Sequence, residues 1–194
     1  MRGALAEIRA GVMGIYAMLA FQPDWQRHFD VSVDGFVNSF KAALYALPAF
    51  ILIMLSANHF LAGEANAADA RVGLGEAILQ YARIWLVFPV LAYVIVKLLG
   101  LKTGFSAWVV VHNWAVFVLL HVQALIWVLN AAGIANAQVL ASLITFYQIA
   151  RLFVHWRVAA GTLDMPWGLA AGVACIPLVV DALLVYGFST APAG

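Results

Sequence analysis

The chain has 194 residues, of which 65% are hydrophobic and 10% charged, against roughly 45–50% and 25% in an ordinary soluble domain. That much apolar surface exceeds what a soluble core of this size can bury, and the length holds about five membrane spans of roughly 20 residues with no room for a separate soluble domain. A net charge of +1 gives no electrostatic footprint for nucleic acid, and the one cysteine, Cys175, excludes an intramolecular disulfide and a cysteine-based metal site; within its apolar run it reads as a packed small side chain.

Leu5, Ile8, Val12, Ile15 and Leu19 alternate by three and four and predict the apolar seam of an amphipathic helix over 3–21, ended by Pro23. It is too short to span, so it lies in the cytoplasmic interface or packs across the base of the bundle. Arg2 and Arg9 ahead of an apolar run at 10–21 have the outline of a secretory signal, but Glu7 interrupts them and no small-x-small cleavage site precedes Pro23. The segment is expected to remain in the mature chain.

The first span is expected over 36–60, with Asp34 and Gly35 marking the turn into it, Lys41 snorkelling to the near surface and Asn58 and His59 reaching the far one. The entry segment FDVSVDGFVNSF, followed by Ala46 and Pro48, resembles the entry to the first span in small, uncharacterised proteobacterial inner-membrane proteins with a Yip1-like multi-span arrangement. The resemblance implies a bacterial inner-membrane scaffold or trafficking-type protein, and carries over no functional residue.

A polar connection with Glu64, Asp69, Arg71 and Glu76 leads to a second span at 78–100. Its Gly73-Leu-Gly75 follows no strand and reads as a turn. Gln80, Arg83 and Lys97 are expected to face the two membrane surfaces. A third span, 105–133, lacks formal charge but holds His112, Asn113, His121, Gln123 and Asn130; His112, Gln123 and Asn130 return to within about 20° of one another, with His121 opposite.

The fourth span, 138–161, carries Thr145, Gln148, Arg151 and His155 within about 120° of arc, a polar stripe that turns away from lipid. The other segments are therefore expected to cover it. The fifth span, 167–188, contains Pro177 and Asp181. The fold class is thus an all-α polytopic membrane bundle of about five spans in one domain, 1–194, plus the N-terminal helix.

With the N-terminus cytoplasmic and the C-terminus outside, Arg2, Arg9, Arg27, Lys41, Lys97, Lys102, Arg151 and Arg157 fall on the inner side and Arg71 and Arg83 outside, as the positive-inside rule requires. Trp25, Trp108, Trp156 and Trp167 on one side and Trp85 and Trp127 on the other then form aromatic belts.

Depth counting places Arg151 near His112 and Asn113 and within reach of Asp181, so an Arg151–Asp181 ion pair is expected. Two roles stay open for Arg151, His155, Asp181, Gln148, His112, Asn113 and His121: a proton or anion path, or bonds that hold the bundle together. His112 and His155 at matched depth also suit axial ligation of a b-type haem. No HExxH or close His/Asp/Glu triple supports a metal site, and no Gly-x-Ser-x-Gly occurs. Pro48, Pro89 and Pro177 fall near mid-span and suggest kinked helices packing irregularly or lining a cavity, and Gly168 and Gly172 form a GxxxG suited to close helix approach.

These features favour a non-enzymatic scaffold binding lipid, a partner membrane protein or a second copy of itself, with no cofactor. A small proton-coupled or anion transporter using Arg151 and Asp181 is the alternative, and a haem b electron-transfer subunit the third.

Overall fold

The computed structural model describes residues 3–63, 71–101 and 103–190, with side chains through 184; Arg2, Glu64, Asp69 and Lys102 lie outside the described residues. Among the described residues the chain is helical without strands: α1 (Ala4–Leu19), a 3-10 turn (Trp25–His28), α2 (Val33–Ser39), α3 (Lys41–Gly63), α4 (Leu74–Leu98), α5 (Phe105–Ala131), α6 (Ala137–Thr162) and α7 (Trp167–Thr190). Five segments are long and apolar enough to cross a membrane: α2 with α3, then α4, α5, α6 and α7.

The helix at the centre is α5, not the striped α6. Within their most apolar windows α5 is 67% buried and α6 17%, and α5 packs against α1, α2, α3, α4 and α6, most extensively α3 and α6. The reason is compositional. α5 carries no formal charge and few polar side chains, so neighbours can surround it, whereas α6 has one inward arc and leaves the remainder to lipid.

Helix starts follow local capping. The Ser32 hydroxyl accepts from the Gly35 N–H at 3.1 Å, so Asp34 and Gly35 lie inside the first turn of α2 and not in a turn before it. Gly35 sits against the Asp30 carbonyl, where any Cβ would collide. α4 begins at Leu74, four residues before the expected 78, because Asn58 of α3 bonds both the C=O and the N–H of Val72 at 3.0 Å. Gly73 is therefore a helix N-cap and Gly75 a helical residue. Asn136 caps α6 by accepting from Val139 N–H at 2.9 Å.

Of the two placements open to the N-terminal helix, α1 packs on the bundle, against α5 and α6. Its expected seam holds in part: Ile15 is in the core and Ile8 and Leu19 pack against it. Leu5 is 83% exposed and Val12 is exposed, while Gly11, Gly14, Ile15 and Met18 are buried. Small residues win this face because the approach is close: Gly11 lies on the Trp114 indole and Gly14 on the Phe29 ring. Polar contacts pin both ends. Lys41 Nζ donates to Glu7 Oε1 at 3.2 Å and Tyr45 Oη to Glu7 Oε2 at 2.9 Å, so Lys41 serves α1 instead of reaching alone for the surface. The buried Arg157 donates to the Met18 carbonyl at 2.9 Å and lies 4.3 Å from the Phe21 ring centroid.

The aromatic belts are incomplete. Trp25, Trp85 and Trp108 are core residues; Trp108 lies on the central helix α5 itself and meets Phe88 of α4 edge-on. Cys175 is exposed instead of packed. A Cβ on Gly168 or Gly172 would meet nothing within 4 Å, so the GxxxG makes no close helix contact within this chain.

Gly11→Val should therefore lower the melting temperature in detergent by about 3–10 °C, since overpacking costs about 1–3 kcal/mol. Gly168→Ala should leave it unchanged. Equal melting temperatures for the wild type and both variants would contradict the α1–Trp114 packing.

Candidate functional site

A cavity of about 260 Å³ lies inside the bundle, bounded by α3, α4, α5, α6 and α7. Its polar lining comprises Gln80 and Arg83 from α4, His112 and Gln123 from α5, Tyr147, Arg151 and His155 from α6, and Asp181 from α7. Asp181 lies about 21 Å along α7 from Trp167, and Arg151 about 21 Å along α6 from Ala137, at about 1.5 Å per residue. Counted to the other ends, Asp181 is about 14 Å from Thr190 and Arg151 about 17 Å from Thr162, so both lie in the middle part of their helices.

The three charges meet at one carboxylate. Asp181 Oδ2 accepts from Arg151 Nη2 at 3.1 Å, and Asp181 Oδ1 pairs with Arg83 Nη1, which also donates to the Asp181 main-chain carbonyl at 3.2 Å. The ion pair expected between Arg151 and Asp181 is present. The second arginine is the correction: Arg83 was expected at a membrane surface, but its side chain is only 13% exposed and turns inward. The early start of α4 explains it, because beginning at Leu74 puts Arg83 about 6 Å deeper than a start at 78 would. Gln80 lines the same cavity one turn before it.

The stripe on α6 divides. Arg151 and His155 face the cavity with Tyr147, one turn before Arg151. Gln148 and Thr145 are exposed, since they lie about 60° and 120° round the helix from Arg151, beyond the inward arc. Thr145 instead donates to the Ala141 carbonyl at 2.9 Å. On α5, His112 and Gln123 reach the cavity, whereas Asn130 donates to the Ala135 carbonyl at 2.7 Å and closes the link to α6. Asn113 is buried elsewhere, donating to Ser39 Oγ at 2.9 Å and tying α5 to α2. His121 is exposed and its Nδ1 donates to the Phe117 carbonyl at 2.8 Å. Gln148, Asn113 and His121 therefore do not belong to this site.

His112 and His155 adjoin, but as a stack. Their ring centroids are 5.0 Å apart at 27°, and the Phe88 ring lies parallel to His112, at 2°. Axial haem ligands point their nitrogens at a common iron from opposite sides of a macrocycle. Face-to-face rings leave no slot for one, so this arrangement does not fit a haem held between these two residues. His112 is 6% exposed, and its Nδ1 has no hydrogen-bond partner. A buried polar atom of that kind is costly unless something pairs with it. Of the mid-span prolines, only Pro177 lines the cavity, one turn from Asp181 on the same face.

Both imidazoles taken as uncharged, the charged side chains lining the cavity among the described residues are Arg83, Arg151 and Asp181, which leaves one excess positive charge. Replacing either arginine by glutamine balances the site; replacing the aspartate leaves two cations facing each other. Asp181→Asn should therefore destabilise the protein by about 3–5 kcal/mol, and Arg83→Gln or Arg151→Gln by less than about 1 kcal/mol, read as melting temperatures in detergent. Equal losses in all three would contradict a shared carboxylate. No family model, no curated protein and no solved structure matches the chain.

Proposed function

We propose that this membrane protein binds a small polar solute inside the bundle and carries it across the membrane, without covalent chemistry and without a cofactor. The observation behind this reading is the convergence, in the middle part of their helices, of charged side chains from α4, α6 and α7 on a cavity that retains an unpaired His112 nitrogen and one excess positive charge. A salt bridge that serves only to hold helices together gains nothing from an adjoining cavity or from a second cation beside its one carboxylate. A space of about 260 Å³ is just below the roughly 300–1,000 Å³ typical of small-molecule sites, which suits a compact solute. This places the transport reading ahead of the scaffold reading.

The charge distribution supports a cytoplasmic N-terminus. With Arg83 and Arg151 assigned to the interior, Arg9, Arg27, Lys41, Lys97 and Arg157 lie toward one side and Arg71 toward the other, the bias of positive-inside topology. A bacterial inner membrane, implied by the resemblance of the segment at 29–40, belongs to the same proposal.

Native mass spectrometry on protein extracted gently from its own membrane tests the reading. The expected result is a retained small-molecule mass on the wild type that is depleted in Arg151→Gln. A stoichiometric protein partner held equally by both forms, with no small-molecule mass on either, would overturn it in favour of a scaffold.

A further inference from the structure

The composition of the cavity narrows the chemistry of what it takes. Asp181 neutralises only one of the two guanidinium groups, so the complement that balances the site is a monovalent anion. Among the described residues Arg151 donates a single hydrogen bond, from Nη2 to Asp181 at 3.1 Å, although a guanidinium has five N–H donors in a planar fork matched to a carboxylate. His112 Nδ1, buried and unpartnered on the cavity wall, adds a further polar atom for a ligand. The lining also includes apolar side chains, among them Phe50, Ile53, Phe88 and Leu120. A halide or a fully hydrated inorganic oxyanion would leave those side chains facing nothing they can bind. Volume sets the size: about 260 Å³, at roughly 30 Å³ per water-sized unit, holds about nine non-hydrogen atoms, and an apolar cavity of about 150 Å³ already accepts benzene.

We infer that the solute is a small organic monocarboxylate of about six to ten non-hydrogen atoms, its carboxylate bound by Arg151 and Arg83 in competition with Asp181 and its hydrocarbon end against Phe50, Ile53 and Leu120. The inference rests on the proposed solute-binding role of this cavity and names its substrate class. Asp181 then acts as an internal stand-in for the ligand. It keeps the arginines paired while the site is empty and yields one of them when the anion arrives, because both carboxylates seek the same donors.

The test is thermal stabilisation and equilibrium binding of purified full-length protein in detergent, with benzoate and butyrate as probes and benzamide, benzylamine and chloride as comparators. Benzoate should raise the melting temperature saturably while benzamide, nearly the same shape but uncharged, does not. Arg151→Gln should abolish the shift, and Arg151→Lys should weaken binding about tenfold, since an ammonium keeps the charge but loses the fork. Asp181→Asn should tighten benzoate binding about tenfold although it lowers stability, a gain that a merely structural aspartate would not give. If that variant does not fold, the Arg151 pair decides. Stabilisation by benzamide or chloride equal to that by benzoate would overturn the carboxylate assignment and leave the solute-binding role standing. An unchanged Asp181→Asn affinity would overturn the competition. No response to any probe, together with no small-molecule mass on the native protein, would remove both.

Discussion

A guanidinium in the middle part of a membrane-spanning helix must find a counter-charge or a carbonyl within the protein, and two of the helices of this bundle are positioned by that requirement. Arg83 on α4 and Arg151 on α6 both close on Asp181 of α7. The consequence is largest for α4, whose packing against α3, α5 and α7 is slight beside the extensive α3–α5 and α5–α6 contacts. Where apolar contact is sparse, an ion pair in low dielectric supplies a larger share of what holds the helix in register. The same charges that close the bundle also keep a polar space open at its centre, so the structural and binding roles fall on one set of side chains.

The rest of the bundle is assembled on α5 by different means. Its own polar groups are spent locally: Asn113 on Ser39 of α2, Asn130 on the turn into α6, His121 on its own backbone. Its indole at Trp114 receives Gly11 of α1 at a distance only glycine permits, and α1 is held at its ends by Glu7 and by Arg157. Arg157 shows a second way of housing an arginine, through the Met18 carbonyl and the faces of Phe21 and Trp167 with no carboxylate among those partners. The contrast matters for Arg83 and Arg151. Arg157 keeps one buried nitrogen, Nε, without a hydrogen-bond partner, whereas Arg83 and Arg151 share a carboxylate.

Much of this was legible from the chain itself. Hydropathy and length locate the spans because the membrane imposes one dominant constraint on composition, and five apolar segments are found where the sequence places them. The Arg151–Asp181 pair is legible from depth, since both residues can be counted inward from helix ends. What escaped was rotation and register. Arg83 reads as a surface residue unless α4 is known to start at Leu74, and that start is fixed by Asn58 from another helix, outside the span's own sequence. Gln148 shares an arc with Arg151 on a helical wheel but lies past the edge of the inward face, an edge set by where α5 and α7 pack. The seam of α1 was legible at Ile8, Ile15 and Leu19 but not at Gly11 and Gly14, because small residues carry no hydrophobic signal although close approach selects them. Trp85 and Trp108 entered the core for the same reason that periodicity cannot foresee: the neighbour, and not the residue type, decided which face was inside.

The excess charge is the feature on which the proposed binding role rests. A bundle selected only for stability would be served by one arginine and one aspartate at this depth, since each further ion removed from water costs several kcal/mol before any attraction returns it. Arg83 and Arg151 together exceed what Asp181 can neutralise, and His112 leaves a buried nitrogen unpaired beside them. Each is unfavourable in the empty protein, and both are relieved by the same event, entry of an acceptor bearing one negative charge. On the proposed reading, one monovalent anion would answer both features at once. The helices that contribute the cationic groups are also those joined to α7 through Asp181, so an anion that draws an arginine off that carboxylate loosens α4 or α6 from α7. On the proposed reading, binding and helix rearrangement are linked through the Asp181 carboxylate.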